Sequence, residues 1–162
     1  MSEKSSELTL ESVLLWALRT AEGWGAVHQR TPADLALAEL VTAIEGADKE
    51  AATRLFELAE KTLLVYGTPI RLRLVWGLVF GCAALYTGRR SGMTTYLDAL
   101  AELAAVDAHC AVDRAPTTHL GPAALRRYNG ITLPGLRSEA MGKARKEWKD
   151  QIAQRTAALR QS

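Results

Sequence analysis

The chain has 162 residues, two of them cysteine, and a net charge of +2. That length fits one domain with a hydrophobic core of its own, without a metal or disulfide to hold it. The near-balanced charge excludes a nucleic-acid binder that works through bulk positive charge alone. The opening MSEKSSELTLES lacks the basic start, apolar centre and small-residue cleavage site of a secretory signal, so a cytoplasmic protein is expected.

Alternating strand patterns are scarce, and apolar residues recur at helical spacing almost throughout. Thr9 is placed to cap a first helix carrying Leu10, Val13, Leu14, Ala17, Leu18 and Ala21 on one stripe. Trp16 and Trp24 lie off that stripe, which predicts a second surface for one of them. Gly23 to Arg30 should break or fray the helix. Thr31-Pro32 with Asp34 starts the next, which runs through Leu35, Leu37, Ala38, Leu40, Val41 and Ile44 to a stop at Gly46. Asp48 can cap a third, whose apolar face from Leu55 and Phe56 to Val65 and Tyr66 is expected to continue to Gly67.

Residues 68–88, TPIRLRLVWGLVFGCAALYTG, are the most apolar stretch and the expected central helix. Thr68 and Pro69 read as N-cap and first helical position, and Gly88 as the stop. Leu74, Val75, Trp76, Leu78, Val79, Phe80, Cys82, Leu85 and Tyr86 cover every side of a helix, which predicts burial on all faces. Gly77 and Gly81 would admit a close neighbour. The apolar run is shorter than the roughly 20 residues that cross a bilayer. Cys82 within it and Cys110 further on read as small buried hydrophobes of a reducing compartment.

After the arginine turn GRRSGMTT, Thr94 or Thr95 opens a fifth helix with Tyr96, Leu97, Leu100, Leu103, Ala104 and Val106 on its apolar side. Residues 115–122 turn to Pro, Thr and Gly, which divides a helical core, 1–114, from a basic C-terminal helical segment, 115–162, packed on the same domain. There a short helix from Pro122 to Tyr128 should stop at Asn129-Gly130. Pro134-Gly135 marks a turn, and Ser138 with Glu139 starts the last helix. Its thin stripe of Ala140, Ala144, Trp148, Ile152 and Leu159 suits a helix lying on a surface, of this domain or of a partner. The expected fold is an all-α helical bundle of about five to seven helices.

Charge is sorted along this order. Residues 1–60 hold eleven acidic and five basic side chains, and residues 61–97 hold five basic and no acidic ones. Residues 98–113 carry four acids and no base, and residues 114–162 carry ten bases and three acids. Such asymmetry predicts an acidic side and a basic side open to a partner. Arg71 and Arg73 sit where the dipole of the central helix disfavours cations, so each needs a compensating anion, either an acid of the first helices or an external one.

No catalytic motif accompanies the pattern. There is no GxSxG, no glycine-rich phosphate loop with lysine, no HExxH and no CxxC pair, and His28, His109 and His119 do not share a helix turn. His109, Cys110, Asp107 and Asp113 hold ligand-type atoms but point in different directions on a helix, and Glu57 with Glu60 reads as a solvated pair. No enzyme activity, metal or cofactor is expected. The basic residues are the remaining candidates for phosphate contact: Arg71, Arg73, Arg89, Arg90, Arg126, Arg127, Lys143, Lys146 and Lys149. Tyr96, Tyr128 and Trp148 would add stacking if exposed, and Trp148 is the candidate anchor for a protein partner. Against this, Lys143 with Glu147 and Lys146 with Asp150 are spaced to pair on the helix itself.

Pro69, the apolar positions after it, Gly77-Leu78 and Ala83 to Tyr86, then a turn and another amphipathic helix, resemble the small helical subunits of multisubunit CRISPR effector complexes. The resemblance covers about half the chain. It implies a non-catalytic protomer that joins backbone subunits and helps hold the guide duplex or displaced strand in antiviral defence. The function expected is thus a helical subunit of a nucleoprotein complex, contacting RNA or DNA backbone through basic patches and neighbouring subunits, or copies of itself, through other faces. A protein-only adaptor or homo-oligomer is the alternative, and a small helical enzyme or ligand-binding bundle a further one.

Overall fold

A computed structural model describes residues 8–25, 30–89 and 93–161. Among them the chain is all-α, with helices α1 (Leu10–Gly25), α2 (Pro32–Glu45), α3 (Lys49–Leu63), α4 (Ile70–Tyr86), α5 (Met93–Asp113), α6 (Pro122–Arg127) and α7 (Leu133–Gln161). The expected leader, Arg90 and His28 lie outside the described residues, as does the Tyr96 side chain.

Local chemistry sets most boundaries. The Thr9 hydroxyl accepts from the Ser12 amide at 3.1 Å and the Ser12 hydroxyl accepts from the Thr9 amide at 2.9 Å, a reciprocal cap on α1. The helix ends at Gly25, within the segment from Gly23 to Arg30 where a break is expected; residues 26–29 lie outside the described residues. Thr31 and Asp34 form the same box on α2, and the Asp48 carboxylate accepts from the Ala51 amide to start α3. After α2 the left-handed residue is Ala47, φ 54°, and not Gly46. The Asp48 amide then reaches the Ala43 carbonyl at 2.8 Å, and the Cβ of Ala47 opposes this geometry by about 1 kcal/mol.

Two expectations about α3 and α4 are corrected. α3 stops at Leu63, so Val65 and Tyr66 are not on its apolar face but stand exposed in the connection. Thr68 does not cap α4. Pro69 is the N-cap, and the Thr68 hydroxyl turns back to the Val65 carbonyl at 3.4 Å. Pro69 forces the residue before it out of the helical region, and Gly67 at φ 83° reverses the chain.

α4 is the centre of the bundle and touches α1, α2, α3 and α5. Ten residues from Val75 and Trp76 to Leu85 and Tyr86 are buried, while Leu74, Gly77 and Phe80 are only half-buried, so the expected burial on all faces is incomplete, and Ile70 and Arg73 at its start are exposed. Gly77 has open space where a side chain would stand, so no close helix approach is built on it. The core adds Leu14 and Leu18, Leu37 and Leu40, Leu55, Leu97 and Leu100 from the surrounding helices.

α7 lies antiparallel along α5, the most extensive helix contact of the fold. The acids of α5 meet bases of α7 across this seam: Arg137 to Asp113 at 2.7 Å and Arg145 to Glu102 at 2.8 Å. The expected stops after Tyr128 and at Pro134-Gly135 do not occur. Tyr128–Thr132 form a π turn that joins α6 directly to α7, and α7 begins at Leu133, ahead of Ser138. Pro134, which has no N–H to donate to a carbonyl one turn back, follows just after this π turn. The 40 residues from Pro122 to Gln161 are thus helical throughout, about 60 Å long.

Candidate functional site at one end of the bundle

Three contacts fix which helix ends lie together. Arg71 in the first turn of α4 pairs with Asp34 in the first turn of α2 at 3.2 Å. Ala21 and Trp24 at the end of α1 line one small cavity with Arg71, Val75, Leu103 and Asp107. Arg137 near the start of α7 reaches Asp113, the last residue of α5. The ends of α1, α3 and α5 and the starts of α2, α4 and α7 therefore share one end of the molecule, here the upper end.

Above it stands α6. Among the described residues α6 packs on no helix of the bundle and has no buried residue. Fifteen positions separate Pro122 from Arg137, which is level with the end of α5, so the helix projects about 22 Å beyond it. Residues 114–121 link the end of α5 to Pro122 and include a hydrogen-bonded turn, the Leu120 amide donating to the Thr117 carbonyl at 3.0 Å. Tyr128, half-buried, and Leu136 line a crevice with Val112 and Ala115 at the foot of this spur.

Exposed cations gather at this end. Arg30 precedes the cap of α2, Lys61 lies in the last turn of α3, Arg73 near the start of α4, Arg114 just after α5, and Arg126 and Arg127 close α6. None has an ion-pair partner among the described residues; the exposed acids nearby are Glu22, Glu57, Glu60 and Glu139, together with Asp113, which pairs with Arg137 and His109. An apolar knob stands between the cations. Leu64, Val65, Tyr66 and Ile70 are all exposed, Tyr66 to 96%. Arg73 Nη1 donates to the Val65 carbonyl at 3.5 Å, which holds the guanidinium against the knob.

The arginines and lysines expected to touch phosphate separate into groups. Arg73, Arg126 and Arg127 belong to the upper end. Arg71 is spent inside the fold, 18% exposed and paired with Asp34, so the intramolecular partner foreseen for it is the one found. Burial pushes the Asp34 carboxyl up, but hydrogen bonds from Arg71 and Thr31 outweigh it and hold the group below the usual carboxylate range. Arg89 lies at the opposite end, its guanidinium 5.3 Å from the Phe56 ring centroid. Lys143 and Lys149 are exposed on α7, while Lys146 pairs with Asp150 at 3.2 Å, the within-helix pairing its spacing allowed.

Trp148 does not stand free for a partner. It packs on Trp16 and Trp24 at centroid distances of 5.8 and 5.4 Å, so both off-stripe tryptophans of α1 meet α7. Arg155 lies 4.0 Å over Trp16 in the same seam. Among the described residues no group of three or more His, Cys, Asp or Glu side chains is placed to hold a metal ion, and His109 pairs with Asp113. Cys82 and Cys110 are free thiols, and burial pushes the Cys82 thiol far above its ordinary range.

Sequence reasoning missed Tyr66, Lys61, Arg30 and Arg114. A signal for the first two was present: Leu63 to Tyr66 run into Gly67-Thr68-Pro69, which cannot continue a helix, and residues 61–73 hold three cations and no acid. No protein-family model matches the chain, and the searches of curated proteins and of solved structures returned no match.

Proposed function

We propose that this chain is a non-catalytic helical subunit of a nucleoprotein assembly, with its upper end set against a nucleic-acid backbone. One observation carries the reading: five separate chain segments each place an unpaired exposed cation at that end, whereas Arg137 and Arg145 of the α5–α7 seam are neutralised within the fold. Lysine and arginine held by no internal acid exchange bound counterions for phosphates, and such contact is insensitive to base sequence. The resemblance of the α4 region to small helical subunits of CRISPR effector complexes accords with this reading.

The face for a neighbouring subunit is the open groove between α2 and α3. Leu35, Ala38, Thr42, Ala51, Leu55 and Leu58 line it, its volume is about 680 Å³, and the leucines at its mouth are half exposed.

Binding of a fluorescein-labelled oligonucleotide, titrated with salt, tests the nucleic-acid contact. Arg126→Glu with Arg127→Glu should weaken binding more than tenfold and lower the slope of log K against log salt by about 2. Arg89→Glu, at the opposite end, should change neither. Equal losses from both variants, or no binding by the native chain at about 50 mM salt, would overturn the reading.

A further inference from the structure

We infer that the knob around Tyr66 takes unpaired nucleotides, with the phenol ring as a stacking platform, so that the ligand of the upper end is single-stranded rather than duplex nucleic acid. The inference rests on the nucleic-acid reading above and specifies it. Tyr66 is the most exposed large apolar side chain among the described residues, and Leu64, Val65 and Ile70 are exposed as well. Three such side chains in the α3–α4 connection, with Ile70 at the first position of α4, expose a surface whose burial is favourable, and its occupant must offer apolar area.

The charge around the knob narrows the occupant. Lys61 lies one turn before it and Arg73 is fastened to its backbone through the Val65 carbonyl; no ion pair among the described residues neutralises either. The occupant therefore presents apolar faces and anionic groups side by side within a few ångströms. An unpaired strand does so at every nucleotide, one base face to one phosphate. A duplex hides its base faces in the stack and offers the knob only phosphate, which leaves Leu64, Val65 and Tyr66 unmatched. Arg30, Arg114, Arg126 and Arg127 add further exposed cations at the same end of the molecule.

Fluorescence anisotropy with fluorescein-labelled oligo(dT) and oligo(U) of roughly 12 nucleotides, and with a duplex of equal length, tests the inference on the full chain. At least one single strand should bind about tenfold more tightly than the duplex. Tyr66→Ala should cost that strand about tenfold and leave the duplex unchanged, while Tyr66→Phe, which keeps the ring, should bind as the native chain does. Because Tyr66 is exposed, its thermal melt should be unaltered in both variants, which separates lost stacking from lost fold. Single strand and duplex bound alike, with Tyr66→Ala silent, would overturn the inference and leave the proposed function standing. No binding of any oligonucleotide would overturn both. Sedimentation with phosphatidylserine vesicles, abolished by Tyr66→Ala in a chain that binds no oligonucleotide, would assign the knob to a lipid surface instead and overturn both.

Discussion

α4, seventeen residues long, has ten buried residues, whereas α7, twenty-nine residues long, buries only Ile152 and Thr156 among its described side chains. α4 is held by area removed from water and by neighbours on four other helices. α7 has one supporting face, and its adhesion combines two Arg–carboxylate bridges, the tryptophan cluster and a single fully buried isoleucine. The contrast teaches that the two halves of the chain tolerate change differently. Apolar burial contributes about 25 cal/mol per Å² wherever it occurs, while half-exposed bridges contribute little and are screened by salt.

The largest break in this comparison comes from the core. Leu78→Ala, at a fully buried site in α4, should cost about 4 kcal/mol, read as a fall in the urea midpoint for the whole chain. Asp34→Ala follows at about 3 kcal/mol, because it strands the mostly buried Arg71 guanidinium and removes half of the α2 capping box. The same pair sets an acid limit. The folded Asp34 titrates below its ordinary 3.8, so its contribution is complete above that pH and is lost as pH falls through the lower folded value. Urea midpoints of the native chain and of Asp34→Ala should accordingly converge only below about pH 3.8, and convergence already near neutrality would remove Asp34 as the cause. The smallest effect sharpens the contrast. Arg145→Ala should cost under about 1 kcal/mol, with faster amide exchange in α7 and none added in α4.

Much of the α2–α4 half was legible in the sequence because its signals are local. Thr31, Asp34 and Asp48 cap by reaching three residues along the chain, and an apolar run with no polar face has few places to go but the centre. The end of α3 is not legible from hydrophobicity, because Val65 and Tyr66 are apolar and yet lie past Leu63, exposed in the turn that Gly67 at φ 83° reverses. Pairing of the basic C-terminal segment was harder still. Glu102 and Arg145 are 43 residues apart, and only the antiparallel register of α5 on α7 reveals that Glu102 and Asp113 lie opposite arginines of the last helix. The candidate site suffered most, since five chain segments contribute cations to the upper end and no sequence spacing relates them.

The π turn of Tyr128–Thr132 has a geometric meaning for the spur. A helix advances about 100° per residue, so one residue more or less within that turn swings everything before it by that angle. Because α6 is braced by no other helix, only the connection 114–121 and the Tyr128 crevice would have to give way. Arg126 and Arg127 are thus mounted like a vane, whose compass heading a single insertion or deletion near Gly130 can reset.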